Sequence, residues 1–581
     1  MHPAAAAPHG ALLSLDAMIQ LLDVFGFLSV LLRGLTLALQ SLVIGGLVFE
    51  LFIARDDAGA AAARSGRRLL LGSALGLALA QAGYLAADTA LLTATTGLGL
   101  AAVAGANFFV AGAAAAGLAL AIAALAYASD RPRRQAGVHK DRQGRRDRRG
   151  RSALAGALLL SAGLLAAAVA TSHAAARLED RALPLALTAL HMAAAACWIG
   201  GLPYLLLALA RVPGAAAARI VAGRFSRLAQ GSVAALLGAG IGLAVIYVGS
   251  PGAILGTAYG AMVSTKAILL GLLLGLGALN YFVVRRAEAG DTSGLARLRR
   301  FAEAEVGIGF TVILAAASLT SQPPAADLAP RDLVSLPEIE ARMAPRPPRL
   351  APPSAIERLP PSLRSAASGG DASRRRAVET YLSYVPGQLA APPTPGEIAL
   401  SEFNHNVSGL VVLVAGLLAV AARAGWRWAR NWPLAFLALA VFLFLLADVE
   451  YWPLGPIPFW RGFLVAEALQ HRLAVLLIVA FAFYERRVQV GGGRPATALV
   501  FPFVCFLGGA LLLTHSHSLN NPKSELLVEL SHASIAVLGV AAGWSRWLEL
   551  RLPDGPRRAL SWVWPICFVL VGLVLLDYRE S

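Results

Sequence analysis

Five of the ten histidines in this 581-residue chain fall in its last third, at His405, His471, His515, His517 and His532. An unprotonated imidazole can ligate a metal ion, hold a haem iron or move a proton. Three of the five follow a carboxylate by about one helical turn: Glu402 precedes His405, Glu467 precedes His471 and Glu529 precedes His532. Offsets of three or four residues put both side chains on one face of a helix. There the carboxylate either joins a ligand set or holds the second imidazole nitrogen. The stretch LLTHSHSLNN, residues 512–521, carries the remaining two imidazoles one residue apart. On an ideal helix they would stand roughly 200° apart. Either the helix end unwinds at Thr514, or only one of His515 and His517 points inward. Imidazole with carboxylate suits copper(II), zinc or iron, and the pattern alone does not choose. The bland alternative is a set of interfacial histidines that bridge water and lipid headgroups.

The first half of the chain has its own polar groups inside apolar runs: Arg33, Asp88, His191 and Lys266. Ionisable groups within a bilayer are costly and usually face a functional interior. His191 and Trp198 are seven residues apart, two turns on one helix face, and Gly200-Gly201 permits close backbone approach beside them. That face is expected to line a metal path. The alternatives are a packed core histidine at His191 and a buried Arg33–Asp88 pair that only locks helices.

These groups must be positioned by membrane helices. Hydrophobic residues make up 57% of the chain, charged residues 14%, and mean hydropathy is +0.64. A soluble core needs less apolar surface than that; a lipid-embedded one needs it. A span takes about 20 apolar residues. Candidates lie near 24–53, 69–93, 98–128, 152–173, 184–210, 226–249, 260–284 and 304–321. After a polar interval, others follow near 405–423, 432–448, 467–484, 497–514, 532–548 and 560–576. The expected fold is all-α and polytopic, with about fourteen helices in bundles of eight and six. The organisation reads as a tail at 1–23, a membrane domain at 24–322, a Pro/Arg-rich linker at 323–400 and a second membrane domain at 401–581. No Lys or Arg precedes Arg33, so the N-terminus lacks the basic region of a cleavable signal and reads as a short outer tail.

Loop charge sets the expected orientation. With the N-terminus outside, the short inner loops hold 33 Lys plus Arg and the short outer segments hold five. That bias predicts both termini on the outer side, and the long interval 323–400 there as well. All five C-terminal histidines then meet the outer boundary. The net charge of +16 does not indicate nucleic acid, because the basic residues sit in short loops between apolar runs. The run RPRRQAGVHKDRQGRRDRRGR reads as a solvated inner loop against lipid headgroups. Cys197, Cys505 and Cys567 are isolated, which disfavours a disulfide framework or thiolate metal site.

Residues 183–325 resemble the copper resistance D (CopD) membrane domain. The likeness rests on the span with His191 and Trp198-x-Gly200-Gly201, on Arg224-Phe225-Ser226, Tyr259-Gly260 with Lys266, Asn280, and the Glu305 span ending at Pro323-Pro324. The segments SEFNHN, WPLGP, LQHRL and LTHSHSL look like the C-terminal extension of longer members. The resemblance implies copper handling at the bacterial inner membrane, often described as import of periplasmic copper. This chain shows no soluble copper-chaperone-like domain with Met- and His-rich strands. Copper would therefore be captured by the membrane bundle itself or delivered by a separate periplasmic copper-binding protein.

The expected function is copper binding at outer-facing histidines followed by transfer across the membrane, without enzymatic activity. No P-loop, DKTG-type phosphorylation motif or GxSxG occurs, so ATP-driven pumping and hydrolysis find no support. The rival is a b-type haem protein for electron transfer, with axial ligands drawn from His405, His471 and His532. A third possibility is a metal-sensing or structural subunit without flux.

Overall fold

The computed structural model describes residues 15–54, 57–130, 140–212, 214–286, 292–359, 363–364, 370, 372–373, 394–449, 451–455, 458–464, 466–491, 497–513, 522–552 and 554–580. The fold is all-α. Among these residues, twelve helices are long and apolar enough to cross a membrane. Large apolar side chains at mid-helix face outward, among them Leu79, Leu159 and Val245, each at least 70% exposed. Such surface belongs in lipid rather than in water.

The first bundle comprises α1 (Leu15–Val48), α2 (Asp57–Thr96), α3 (Asn107–Asp130), α4 (Lys140–Ala170), α5 (Ala182–Trp198), α6 (Leu202–Leu209), α7 (Gly214–Val248), α8 (Ala258–Arg286) and α9 (Thr292–Leu319). Helix α1 starts at Leu15, so most of the segment 15–23 assigned to a tail is helical. LDAMIQLLD keeps an apolar periodicity that a whole-span hydropathy window does not weigh. α5 and α6 form one span broken at Gly200-Gly201. The break lets α1 come in at backbone distance. A Cβ on Gly45 would collide with the backbone of Gly200, and one on Gly200 with the carbonyl of Ser41.

A short helix, α10 (Leu336–Arg342), precedes the second bundle. That bundle holds α11 (Pro395–Arg423), α12 (Phe436–Leu445), α13 (Ala466–Gln489), α14 (Val500–Leu512), α15 (Pro522–Arg551) and α16 (Asp554–Leu576). The expected spans at 467–484 and 497–514 are helices α13 and α14, of 24 and 13 residues, and neither is among the twelve. The bundle centres on Trp432, packed against Phe501, Trp564 and Phe568 at 5.3–5.9 Å between ring centroids. At its arginine-rich end, Glu549 accepts from Arg423 at 2.7 Å, from Arg546 at 2.8 Å and from the Trp564 indole at 3.0 Å. Arg546 also faces Glu485 at 3.7 Å.

The two bundles share one interface along α15. Gly307 on α9 receives the Trp544 indole, which any Cβ there would strike. Glu303 accepts from Trp547 at 3.1 Å and pairs with Arg551 at 3.5 Å. The interval after α9 is more than an extended linker. Val334 is buried and donates to the Gly256 carbonyl at 3.0 Å, and Glu338 pairs with Lys523 at 3.2 Å. The Lys523 ammonium holds the Glu338 carboxyl below its ordinary range. Arg349 N–H donates to Asn406 at 2.7 Å. Residues 323–359 therefore tie the histidine ends of both bundles together.

Candidate metal centre

His405 and His532 each sit ten residues into a helix, on α11 and α15. α11 starts with a capping box: Glu397 N–H donates to Thr394 Oγ1 at 3.2 Å, and Thr394 N–H donates to Glu397 Oε2 at 2.6 Å. α16 packs on both. Gly409 and Gly416 on α11 face the α16 backbone, where a Cβ would meet Leu576 and Val569. This close approach draws the two imidazoles together. Their ring centroids are 5.8 Å apart, edge to face at 72°. Tyr578, just beyond α16, stacks flat on His405 at 3.8 Å and stands 6.0 Å from His532. Burial holds the Tyr578 phenol well above its ordinary range, so it stays protonated, hydrogen-bonded to Ser401.

The backbone fixes the tautomer of both rings. His405 Nδ1 lies 2.8 Å from the Ser401 carbonyl, and His532 Nδ1 lies 2.8 Å from the Val528 carbonyl. A carbonyl only accepts, so each Nδ1 carries the proton. The lone pair of each neutral ring then sits on Nε2, the arrangement that metal-ligating histidines adopt. Sequence spacing offered the upstream carboxylates either as ligands or in this holding role; at His405 and His532 the Nδ1 proton goes to an i−4 carbonyl. Glu402 pairs with Arg349 at 3.5 Å. Glu529 is buried on α15, with Glu525 one turn away as its electrostatic neighbour. The side chain of Glu467 lies outside the described residues.

His471 has a carboxylate partner that spacing did not reveal. Asp448 Oδ1 accepts from His471 Nδ1 at 2.8 Å, and Asp448 is buried. The neighbouring Ala447 carbonyl accepts from Asn404 at 3.3 Å, which places Asp448 beside the helix of His405. Arg472 fixes the turn by donating to the carbonyls of Phe444 and Trp452 at 3.1 and 3.3 Å. The available signal was an aspartate closing an apolar run. His515 and His517 lie outside the described residues. Among the described residues, no group of three or more His, Cys, Asp or Glu is close enough to hold a metal ion. Of the three described, the structure thus brings together His405 and His532, while His471 pairs with Asp448.

In the first bundle, His191 packs against α7. Its Nδ1 is 3.2 Å from the Leu236 carbonyl, and a Cβ on Gly240 would come within 3.2 Å of its ring. Lys266 is its charged neighbour, and a nearby ammonium repels a metal cation. Trp198 is buried in the main apolar core. Arg33 and Asp88 face one another electrostatically without forming an ion pair, so they are no tight lock.

Fold and site together define a polytopic α-helical membrane protein with an imidazole pair at one end of its second bundle. Residues 219–319 match the family described as Copper resistance protein D, and this matched stretch is called the CopD segment below. The segment contains Lys266, Asn280 and Glu305, with Asn280 donating to the buried Glu305 carboxylate. His191 and the second-bundle histidines lie outside it. The chain is also 30% identical over 173 residues to the Bacillus subtilis (strain 168) protein named "Copper transport protein CutJ". That alignment spans 29% of this chain and 31% of the relative, so the chain matches about a third of the relative's length. No solved structure matches.

Proposed function

We propose that this protein binds copper between His405 and His532 and passes it into the membrane domain. The carrying observation is the pair of imidazoles 5.8 Å apart, each with Nδ1–H committed to a backbone carbonyl and Nε2 bearing the lone pair. Two nitrogen donors on neighbouring helices suit copper, with His471 or one of His515 and His517 completing the set. The CopD segment and the copper transport relative support copper over zinc or iron. The loop-charge bias supports a periplasmic placement of this end, with both termini outside and uptake as the direction of transfer. A separate periplasmic copper-binding protein is the proposed donor.

His191, beside Lys266, belongs to the packing of the first bundle in this account. The test is copper stoichiometry of the purified full chain by native mass spectrometry. Wild type and His191→Ala should retain copper, and the His405→Ala/His532→Ala double variant should lose it. Equal copper in wild type and double variant would overturn the proposal.

A further inference from the structure

A cavity with no histidine in its lining lies in the first bundle. Its volume is about 210 Å³, and its polar lining includes Arg33, Thr36, Gln40, Gln81, Tyr84 and Thr171. At about 30 Å³ per liquid water, it has room for about seven waters or for an anion with part of its hydration shell. It reaches one end of the bundle: Thr171 directly follows α4, and Thr320 and Ser321, also in the lining, directly follow α9.

The charge inside is not balanced at contact distance. Among the described residues, Arg33 makes one hydrogen bond, a long one of 3.4 Å to Thr171 Oγ1. Asp88 and Tyr84 are electrostatic neighbours, yet no carboxylate forms an ion pair with Arg33. A guanidinium held between membrane helices needs a counter-charge, and its five N–H donors in a fixed fork need acceptors. The Thr and Tyr hydroxyls and the two carboxamides add further donors. A cation is excluded by the same charge.

We propose that this cavity binds a small monovalent anion of halide size, held by the Arg33 guanidinium and the surrounding hydroxyl and amide groups. Its occupant neutralises Arg33 and fixes α1 against α2 and α4. This site is separate from the imidazole pair, and its test does not use copper.

The experiment uses the full chain in detergent, unfolded by heat in sodium bromide or in sodium gluconate at matched ionic strength. Bromide should raise the midpoint by about 2–4 °C in wild type. Arg64→Gln, an exposed change on α2 outside the cavity, should preserve that rise. Arg33→Gln should abolish it, and so should Ala167→Leu, which fills the cavity without touching the charge. If Arg33→Gln does not fold, Ala167→Leu and anomalous diffraction from wild-type crystals in bromide still decide the matter. A bromide peak beside Arg33 supports the site. No rise in wild type, an equal rise in all variants, or a rise seen only with anionic phospholipid would overturn it.

Discussion

Protons and copper should compete for the same atoms at the imidazole pair. Because both Nδ1 atoms already carry protons held by backbone carbonyls, a second proton can enter only at Nε2, the ligating nitrogen. Each imidazole that must lose a proton to bind makes affinity fall tenfold per pH unit below its pKa, or about 1.4 kcal/mol. Two such rings give a hundredfold fall per unit, about 2.7 kcal/mol, once pH is below the pKa of both. The sign follows from ligand chemistry: affinity is flat while both rings are neutral and drops as falling pH protonates them. Competition titrations against a chromogenic chelator between about pH 5 and about pH 8 would read the slope. His405→Ala should reduce it by one proton, to about tenfold per unit for a two-histidine site. A wild-type slope below tenfold, or one that His405→Ala leaves unchanged, would refute shared ligation.

Other consequences follow from the same geometry. Glu549→Ala removes the carboxylate that holds Arg423 and Arg546 beside Trp564 at the arginine-rich end; breaking a buried pair costs about 3–5 kcal/mol, so the thermal midpoint of a chain this long should fall by about 2–4 °C. A wild-type midpoint would mean that the arginines find water or new partners. Asp448→Asn removes the carboxylate that orients His471; if His471 shares the site, copper affinity should fall about 10–100-fold, whereas unchanged affinity would set His471 apart. In a cysteine-free background, Arg331→Cys should react with an impermeant thiol reagent on intact cells and Arg149→Cys should not. The reverse pattern would invert the orientation.

Apolar run length was enough to reveal most spans, because burial in lipid imposes it residue by residue. It also placed α13 and α14, although α13 carries His471, Arg472 and Glu485 and α14 is 13 residues long. Helix ends were hidden. α11 projects to Pro395 through a capping box, upstream of any hydropathy signal. Within the candidate site, the placement of His405 and His532 at one end of the bundle was legible, but their partners were not. The Nδ1 partners are backbone carbonyls, which no residue type advertises, and Asp448 reaches His471 from 23 residues away. Arg423 and Arg546 were counted as loop charges that set orientation, and that count concealed their buried contacts with Glu549. The docking of 323–359 rests on backbone donors such as Val334 and Arg349, invisible to composition.

The most direct test of the copper account is X-ray absorption of the copper-loaded full chain at the copper edge. It should show nitrogen ligation with the outer-shell scattering of at least two imidazoles, reduced in His405→Ala and in His532→Ala and absent from the double variant. Imidazole scattering that persists unchanged in the double variant would contradict the claim that this pair holds the metal.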